Sequence, residues 1–309
     1  PVIALTATAT PRVAAEIETS LRLEDPVRVQ GDFGRPNLRY SVEHRDGDKD
    51  RTARTIELLR EHGLGERTSE GRAMVYAGTR KRVVALATEL RAAGFRVGHY
   101  HAGRTDTARE RTQAAFVEGS AKVLVATTAF GMGIDLPDVR LVVHVNAPTT
   151  LESYAQQAGR AGRDGEPASC VLLYSAADAV VRKQVVRKPT PGQQAGWKAM
   201  QDYLFGTNCR QRTIARWFGA ELLACDTCDV CRDAVAVVTM VEERREVIRE
   251  KQEERREKRA AERAFEVGED VREQVVAFVG GLRKPVGKRA IALGLRGSRA
   301  KNVKRLKLD

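Results

Sequence analysis

Two arginines three residues apart, Arg160 and Arg163, lie in the segment Gln156-Gln157-Ala158-Gly159-Arg160-Ala161-Gly162-Arg163-Asp164-Gly165. Guanidinium groups at this spacing suit the spread charge of a transferring phosphoryl group, the arginine-finger role, and the glycines let the backbone approach another surface. A pair of surface arginines beside a loop is the competing reading. Upstream, Val125 to Asp135 passes from a buried-strand pattern into the hydroxyls of Thr127 and Thr128, a Gly-x-Gly pair ending at Gly133, and the carboxylate of Asp135. Hydroxyls and open backbone N–H groups hold phosphate, and Asp135 can accept from a ribose hydroxyl. A plain strand-to-helix connection explains the same residues more blandly. The third constellation is Cys209, Cys225, Cys228 and Cys231, spaced C-x15-C-x2-C-x2-C. Four thiolates so spaced match a closed tetrahedral Zn²⁺ site, with an iron–sulfur cluster or free thiols as alternatives. No ligand slot stays open, so such a zinc holds the fold and performs no catalysis. Cys170, inside the apolar run Cys170 to Tyr174, reads as a small core residue.

The fold class that positions these groups is α/β. Short apolar runs at Ala73 to Ala77, Phe95 to Tyr100, Lys122 to Ala126, Leu141 to Val145 and Ser169 to Tyr174 alternate with helical patterns at 81–93, 106–118 and 150–158. This alternation predicts right-handed βαβ units and a parallel sheet with helices on both faces. Ligands of such sheets sit beyond the carboxyl ends of the strands, which directs attention to Ala77-Gly78-Thr79-Arg80, His101-Ala102-Gly103 and Thr127 to Asp135. The helix before the arginines starts after Pro148, with Thr149 and Glu152 as a capping box, and places both arginines on neighbouring positions of one face at its end. The apolar opening Val2-Ile3-Ala4-Leu5 reads as a buried strand. Beyond Pro189 and Pro191 the pattern is helical, with Trp197 and Trp217, up to Cys231. Residues 242–263 carry 9 basic and 8 acidic residues with i,i+3 and i,i+4 pairs, the mark of a solvated linking helix. From Glu269 apolar positions return, and two or three short helices fit a helix-turn-helix or winged-helix unit.

Composition narrows the class. A chain of 309 residues predicts about two domains, and no run approaches the roughly 18 apolar residues of a membrane span, so a cytoplasmic protein without membrane contact is expected. The net charge of +12 is concentrated: Arg283 to Leu308 holds 10 basic residues and no acid, leaving 43 basic against 41 acidic elsewhere. Lys288, Arg289, Arg299, Lys301 and Lys304 are therefore candidate contacts to nucleic-acid phosphate, and this tail predicts a steep salt dependence of binding. From the start at Pro1, inside an apolar run, a truncated N-terminus is expected, and from the uncapped end at Asp309 an incomplete C-terminus.

Ala4-Leu5-Thr6-Ala7-Thr8-Ala9, Gly34-Arg35-Pro36-Asn37-Leu38-Arg39-Tyr40, Tyr100-His101-Ala102-Gly103, Ala129 to Asp135 and Gln156 to Gly165 occur in the order and spacing of RecQ-family DNA helicases, and the resemblance covers about residues 1–231. It implies that 1–39 is the end of a first helicase lobe with its linker, 40–185 a second RecA-like lobe, and 186–235 a helical zinc module. A charged linker at 236–266 and a basic helical DNA-binding region at 267–309 follow. It further implies that Arg163 is the arginine finger, Arg160 its companion, Gln156 a γ-phosphate sensor, and Gly133 and Asp135 nucleotide contacts. Thr79, Arg80, His101, Thr127 and Thr128 become contacts to the DNA backbone, and Thr6 and Thr8 couple hydrolysis to strand movement. ATP with Mg²⁺ is the implied cofactor beside structural Zn²⁺, with 3′–5′ unwinding in recombination and repair the implied activity. One departure stands out: no Gly-x-x-x-x-Gly-Lys-Ser/Thr occurs in the 309 residues. Nothing here cradles the β and γ phosphates, so hydrolysis is expected only with a first lobe in cis. A non-enzymatic zinc protein that grips nucleic acid and an RNA helicase of the wider superfamily are the competing functions.

Overall fold

A computed structural model describes residues 2–6, 8–31, 33–64, 69–130, 135–222, 224–264, 269–282, 287, 291, 292 and 295. The chain divides into two units, Pro1–Glu246 and Val247–Asp309. In the first, α1 (Pro11–Leu21) precedes six strands: β1 (Leu38–His44), β2 (Arg72–Tyr76), β3 (Val97–Tyr100), β4 (Val123–Ala126), β5 (Val139–His144) and β6 (Ala168–Tyr174). They form one sheet in the order β1-β6-β5-β2-β4-β3, with every pair parallel. The Val-rich runs of β2, β4 and β5 occupy buried positions, as continuous apolar strands of a parallel sheet must.

Period-two alternation divides the sheet residues between two cores. Ala73, Val75, Val123, Val125, Leu141 and Val143 face α2 (Asp48–Glu61) and α3 (Arg80–Ala92) through Leu58, Leu59, Val83, Leu86 and Leu90. Met74, Tyr76, Leu124, Val142, Cys170 and Leu172 face the other way, toward Phe116 of α4 (Asp106–Val117) and toward Leu151 and Tyr154 of α5 (Leu151–Ala158). That second core continues without a break into Met200, Tyr203 and Leu204 of α7 (Pro191–Leu204), which follows α6 (Asp178–Val185). It takes in Ile214 of α8 (Arg210–Trp217), Cys228, and Val230 of α9 (Asp229–Arg232). Val237 and Val241, from the start of α10 (Ala234–Ala264), close it. The cysteine-bearing segment thus covers one face of the sheet within a single compact unit. In the second unit, α11 (Glu269–Gly280) has no buried residue.

The five expected strands and three expected helices form within three residues of the anticipated bounds. Four elements, α1, β1, α2 and α6, escape the sequence reading. β1 alternates apolar with Arg39, Ser41 and Glu43, and α2 is so polar that its apolar stripe is reduced to a few positions. The expectation at Val2–Leu5 is corrected. These residues form no strand, with Ile3 at 80% and Leu5 at 91% exposure, because no strand of the sheet lies beside them to pair with. The helix cap is also shifted by one: Thr150, not Thr149, is the N-cap of α5, its hydroxyl accepting from the Ser153 N–H at 3.2 Å. Finally, the first arginines of the charged helix α10 bond to the lobe. Arg244 donates to Asp46 at 2.8 Å, and Arg245 to the Phe205 carbonyl at 3.1 Å, so the start of this helix is docked on the lobe.

One buried ion pair joins α2 to the carboxyl side of the sheet. Arg51 (2% exposed) donates to Asp178 (1% exposed) at 2.7 Å, and the same carboxylate accepts from Asn146 Nδ2 and from the N–H groups of Ala147 and Ser175. Replacing Asp178 by alanine leaves a buried guanidinium without its main counter-ion, and we expect a loss of about 3–5 kcal/mol in urea unfolding. A loss below about 1 kcal/mol would show that Asp48, which also pairs with Arg51, suffices.

Candidate functional site

The arginine segment begins where α5 ends. Arg160 and Arg163 do not share a helical face as the sequence pattern implied. The helix stops at Ala158, and residues 159–164 form successive turns, with Gly162 at φ +52°. A Cβ at Gly162 would lie 2.5 Å from Asn37 Nδ2 and 2.6 Å from the Glu166 carbonyl oxygen, so both the backbone and the packing require glycine there. This turn is clamped through its carbonyls. Arg35 donates to those of Ala161 (2.8 Å), Gly162 (2.9 Å) and Gly159 (3.4 Å), while Asn37 Nδ2 donates to those of Gly162 (2.8 Å) and Glu166 (2.9 Å). The Gly162 N–H donates to the Val139 carbonyl at 2.9 Å, and Arg140 pairs with Asp164. Arg35 and Asn37 belong to a motif the sequence had singled out without a role. Their targets lie more than 120 residues away, so only the fold reveals the contact.

The clamped turn presents its arginines at the end of β2. Burial pushes the Tyr76 phenol up to about 12, against the pull of the nearby Arg160 and Arg163 guanidiniums. Arg163 Nη1 donates to the exposed Asp135 at 2.7 Å. Gln156, exposed on α5, donates to Thr8 Oγ1 at 2.6 Å, and Thr8 in turn is turned toward Thr6, whose hydroxyl accepts from the Thr8 N–H at 3.3 Å. Residues from three separate motifs, Thr8, Asp135 and Gln156 to Arg163, therefore converge. Gly133 lies outside the described residues.

The remaining candidates line the carboxyl ends of β2, β4 and β3, which are consecutive in the sheet. Thr79 is the N-cap of α3, its hydroxyl accepting from the Arg82 N–H at 3.2 Å, and Arg80 is exposed beside it. A Cβ at Gly103 would meet Arg80 Nη1 at 3.0 Å and His101 Nδ1 at 3.3 Å, so the Thr79-Arg80 and His101-Gly103 loops touch. His101 is 8% exposed and accepts from the Gly103 N–H at 3.2 Å; burial, then Arg104 and Arg80, hold its imidazole below its ordinary value and keep it neutral. Thr127, half-buried, and Thr128, exposed, stand at the end of β4 between the two loops. Lys288, Arg289, Arg299, Lys301 and Lys304 lie outside the described residues.

The four cysteines meet as their spacing requires. Their Sγ atoms lie within 4.8 Å of one another, and those of Cys209 and Cys228 are 3.9 Å apart. A tetrahedron with Zn–S bonds of about 2.3 Å has edges of about 3.8 Å, so the donor set fits zinc. Cys209 caps α8, its Sγ accepting from the Arg212 N–H. Burial pushes the Cys225 thiol up, but the N–H groups of Cys228 and Thr227 outweigh it and hold the thiol below its ordinary value. Cys209, Cys225, Cys228 and Cys231 would hold a zinc ion, which would supply a crosslink with no reactive water. Cys170 stays apart in the core, its thiol pushed up to about 12 by burial. Neighbours of the ligands stitch the cluster to β1. Arg210, fully buried, holds Asp229 at 2.9 and 3.2 Å, and Asp229 accepts from the Val42 N–H at 2.9 Å. Gln211 donates to the carbonyls of Leu38 and of Arg35, the residue that clamps the arginine turn.

Two protein families and several known proteins resemble the chain. The helicase conserved C-terminal domain family matches residues 52–165, and the RecQ zinc-binding family matches residues 177–232. The chain is 36% identical over 239 residues to the ATP-dependent DNA helicase RecQ of Pasteurella multocida, covering 75% of this chain and 36% of that one. It is 36% identical over 253 residues to the ATP-dependent DNA helicase RecQ of Bacillus subtilis, covering 80% and 41%. Among solved structures, S. cerevisiae Dbp5 L327V bound to RNA and ADP BeF3 is similar at a TM-score of 0.48 and 18% identity, covering 77% of this chain and 53% of that one. The chain spans about two fifths of the length of the curated relatives it matches.

Proposed function

The chain belongs to the RecQ family of helicases, and from that premise we propose that it supplies the second RecA-like lobe and structural zinc module of an ATP-driven DNA strand-separating enzyme. The observation that carries this reading is the turn 159–166, held through its backbone by Arg35 and Asn37, which sets Arg160 and Arg163 beside the end of β2 and Asp135. ATP, with Mg²⁺, supplies the phosphoryl group and the free energy; this chain contributes arginines to it, and a first lobe in cis contributes the phosphate-binding loop that the 309 residues lack.

The ion pair between Arg163 and Asp135 is exposed and worth at most about 1 kcal/mol, so a multiply charged γ-phosphate displaces it readily. The bond from Gln156 to Thr8 offers a physical link between the nucleotide side and residues 2–10. Thr79, Arg80, Thr127 and Thr128 form the track for the DNA backbone along the ends of β2 and β4, with the neutral His101 supporting the loop that Arg80 lies against. These contacts reach phosphate and sugar, so they grip without reading sequence. The test is the choice of polymer: in the protein carrying its phosphate-binding lobe, single-stranded DNA is expected to stimulate ATP turnover at least about tenfold more than RNA of the same length. Equal stimulation by RNA would favour an RNA helicase, and no stimulation by either would favour a non-enzymatic binding module.

A further inference from the structure

The free edge of the sheet carries a cavity that none of the roles above uses. It measures about 400 Å³ and lies against β3, between the end of α3 and the start of α4; Arg91, His99, Arg104 and Arg111 line it together with Thr105 and Thr107. No carboxylate lines it among the described residues. Resting on the DNA-track reading above, we propose that this cavity holds a backbone phosphate of the bound single strand, as a continuation of that track past the end of β3.

Three observations support the assignment. The first is the state of the arginines. β3 is an edge strand, and Arg91 and Arg104 lie along it, donating to the outward carbonyls of Val97 (2.8 and 3.0 Å) and of His99. Each guanidinium is thereby fixed by backbone, while Arg91 Nη1 and Arg104 Nε and Nη2 keep N–H groups with no protein partner among the described residues. Preorganised donors of this kind suit phosphate better than mobile lysines do. Covering a sheet edge needs only the first two arginines. Arg111 touches no edge carbonyl, is exposed, and has no ion pair among the described residues.

The second is continuity. The cavity's Arg104 follows directly on His101-Ala102-Gly103, the loop that Arg80 rests on, and the His99 and His101 rings are 6.0 Å apart. A strand that passes the ends of β2, β4 and β3 in turn reaches this cavity next. The third is an uncompensated positive field. His99 is half-buried and accepts from Arg91 at 3.0 Å, and burial, then Arg104, Arg91 and His101, push its imidazole down to about 4. An anion in the cavity reverses the electrostatic part of that shift.

The experiment uses the zinc-loaded 309-residue chain and a fluorescein-labelled 20-mer of thymidylate, with anisotropy followed as a function of salt. Arg111→Glu is expected to weaken binding at least about fivefold and to lower the salt slope by about 0.7, the share of one phosphate of a single strand, with an unchanged thermal midpoint. Arg111→Gln should fall between it and the parent. In parallel, the ring signals of His99 are expected to titrate at least about one unit higher with the oligonucleotide bound, a readout that mere protection of the sheet edge would leave still. If Arg80→Ala weakens binding while Arg111→Glu and the His99 midpoint stay unchanged, the phosphate site is wrong and the track ends at His101. If neither variant changes binding, the track itself is wrong. Displacement of His99 by a phosphoserine peptide but not by the oligonucleotide would reassign the cavity to a protein partner and overturn the proposal.

Discussion

Replacing Arg163 by alanine, in the protein that carries its phosphate-binding lobe, is expected to lower ATP turnover by about 10³-fold while single-stranded DNA affinity stays within about twofold. The structure explains the separation of the two effects. The turn that carries Arg163 is fixed through its own carbonyls by Arg35 and Asn37 and through Asp164 by Arg140, so truncating an exposed side chain leaves the turn in place. In the proposed role, what disappears is a cation where charge develops on the transferring phosphoryl group, an interaction made only in the transition state, so kcat should fall and the KM for DNA should not. Arg35→Ala perturbs the same step from behind. It releases three carbonyls and lets the turn drift, for which a fall of about 10- to 100-fold is expected, partly recovered by Arg35→Lys. Phosphate release at saturating DNA measures both. Unchanged turnover in Arg163→Ala would remove the finger assignment.

Stripping the metal is expected to produce the largest loss of stability. Structural zinc in small modules binds with about 10–16 kcal/mol, and here the segment it crosslinks is not peripheral. Cys228 and Val230 belong to the same core as Met74, Tyr76, Val142 and Leu172 of the sheet, and Asp229 and Thr227 bond to the backbone of β1. Removing zinc should therefore open α8, α9 and the β1 edge together and lower the thermal midpoint by at least about 10 °C, with Cys228→Ser having a similar effect. A colourless protein releasing one zinc per chain to a chromogenic chelator after thiol blocking is the expected result. Release of iron, or a midpoint unmoved by chelation, would contradict it. Because Gln211 bonds to both Arg35 and Leu38, zinc loss is also expected to slow ATP turnover before the whole lobe unfolds.

Much of this was legible in the residues because it is local. Strands β2, β4, β5 and β6 are largely apolar runs with nowhere to go but a sheet interior, and the cysteine spacing holds its own geometry. What failed did so for physical reasons. Val2 to Leu5 has the composition of a strand, but a strand exists only beside another, and none lies there. Thr149 and Thr150 are equally good caps by type, and the backbone decides between them. The arginine pair was read as helical from a pattern that continues past Gly159, whereas the helix stops at Ala158 and the chain turns at Gly162, which the side chain of Asn37 crowds. Arg35 and Asn37 stood in a motif with no assigned role, and Asp178 and Gln211 were not singled out at all: like Arg210, each is a polar residue whose meaning is a bond made across the fold. The edge cavity is of the same kind, since Arg91, His99, Arg104 and Arg111 become one site only when α3 and α4 flank β3.

Strand separation itself tests the account most directly. A duplex with a single-stranded 3′ DNA tail, mixed with the protein carrying both lobes and its zinc, should open when ATP is added and stay closed without it. Arg163→Ala should bind the same substrate with near-parent affinity and fail to open it. Opening by Arg163→Ala at the parent rate, or no opening by a parent protein that binds the tail and holds its zinc, would contradict the function assigned to this chain.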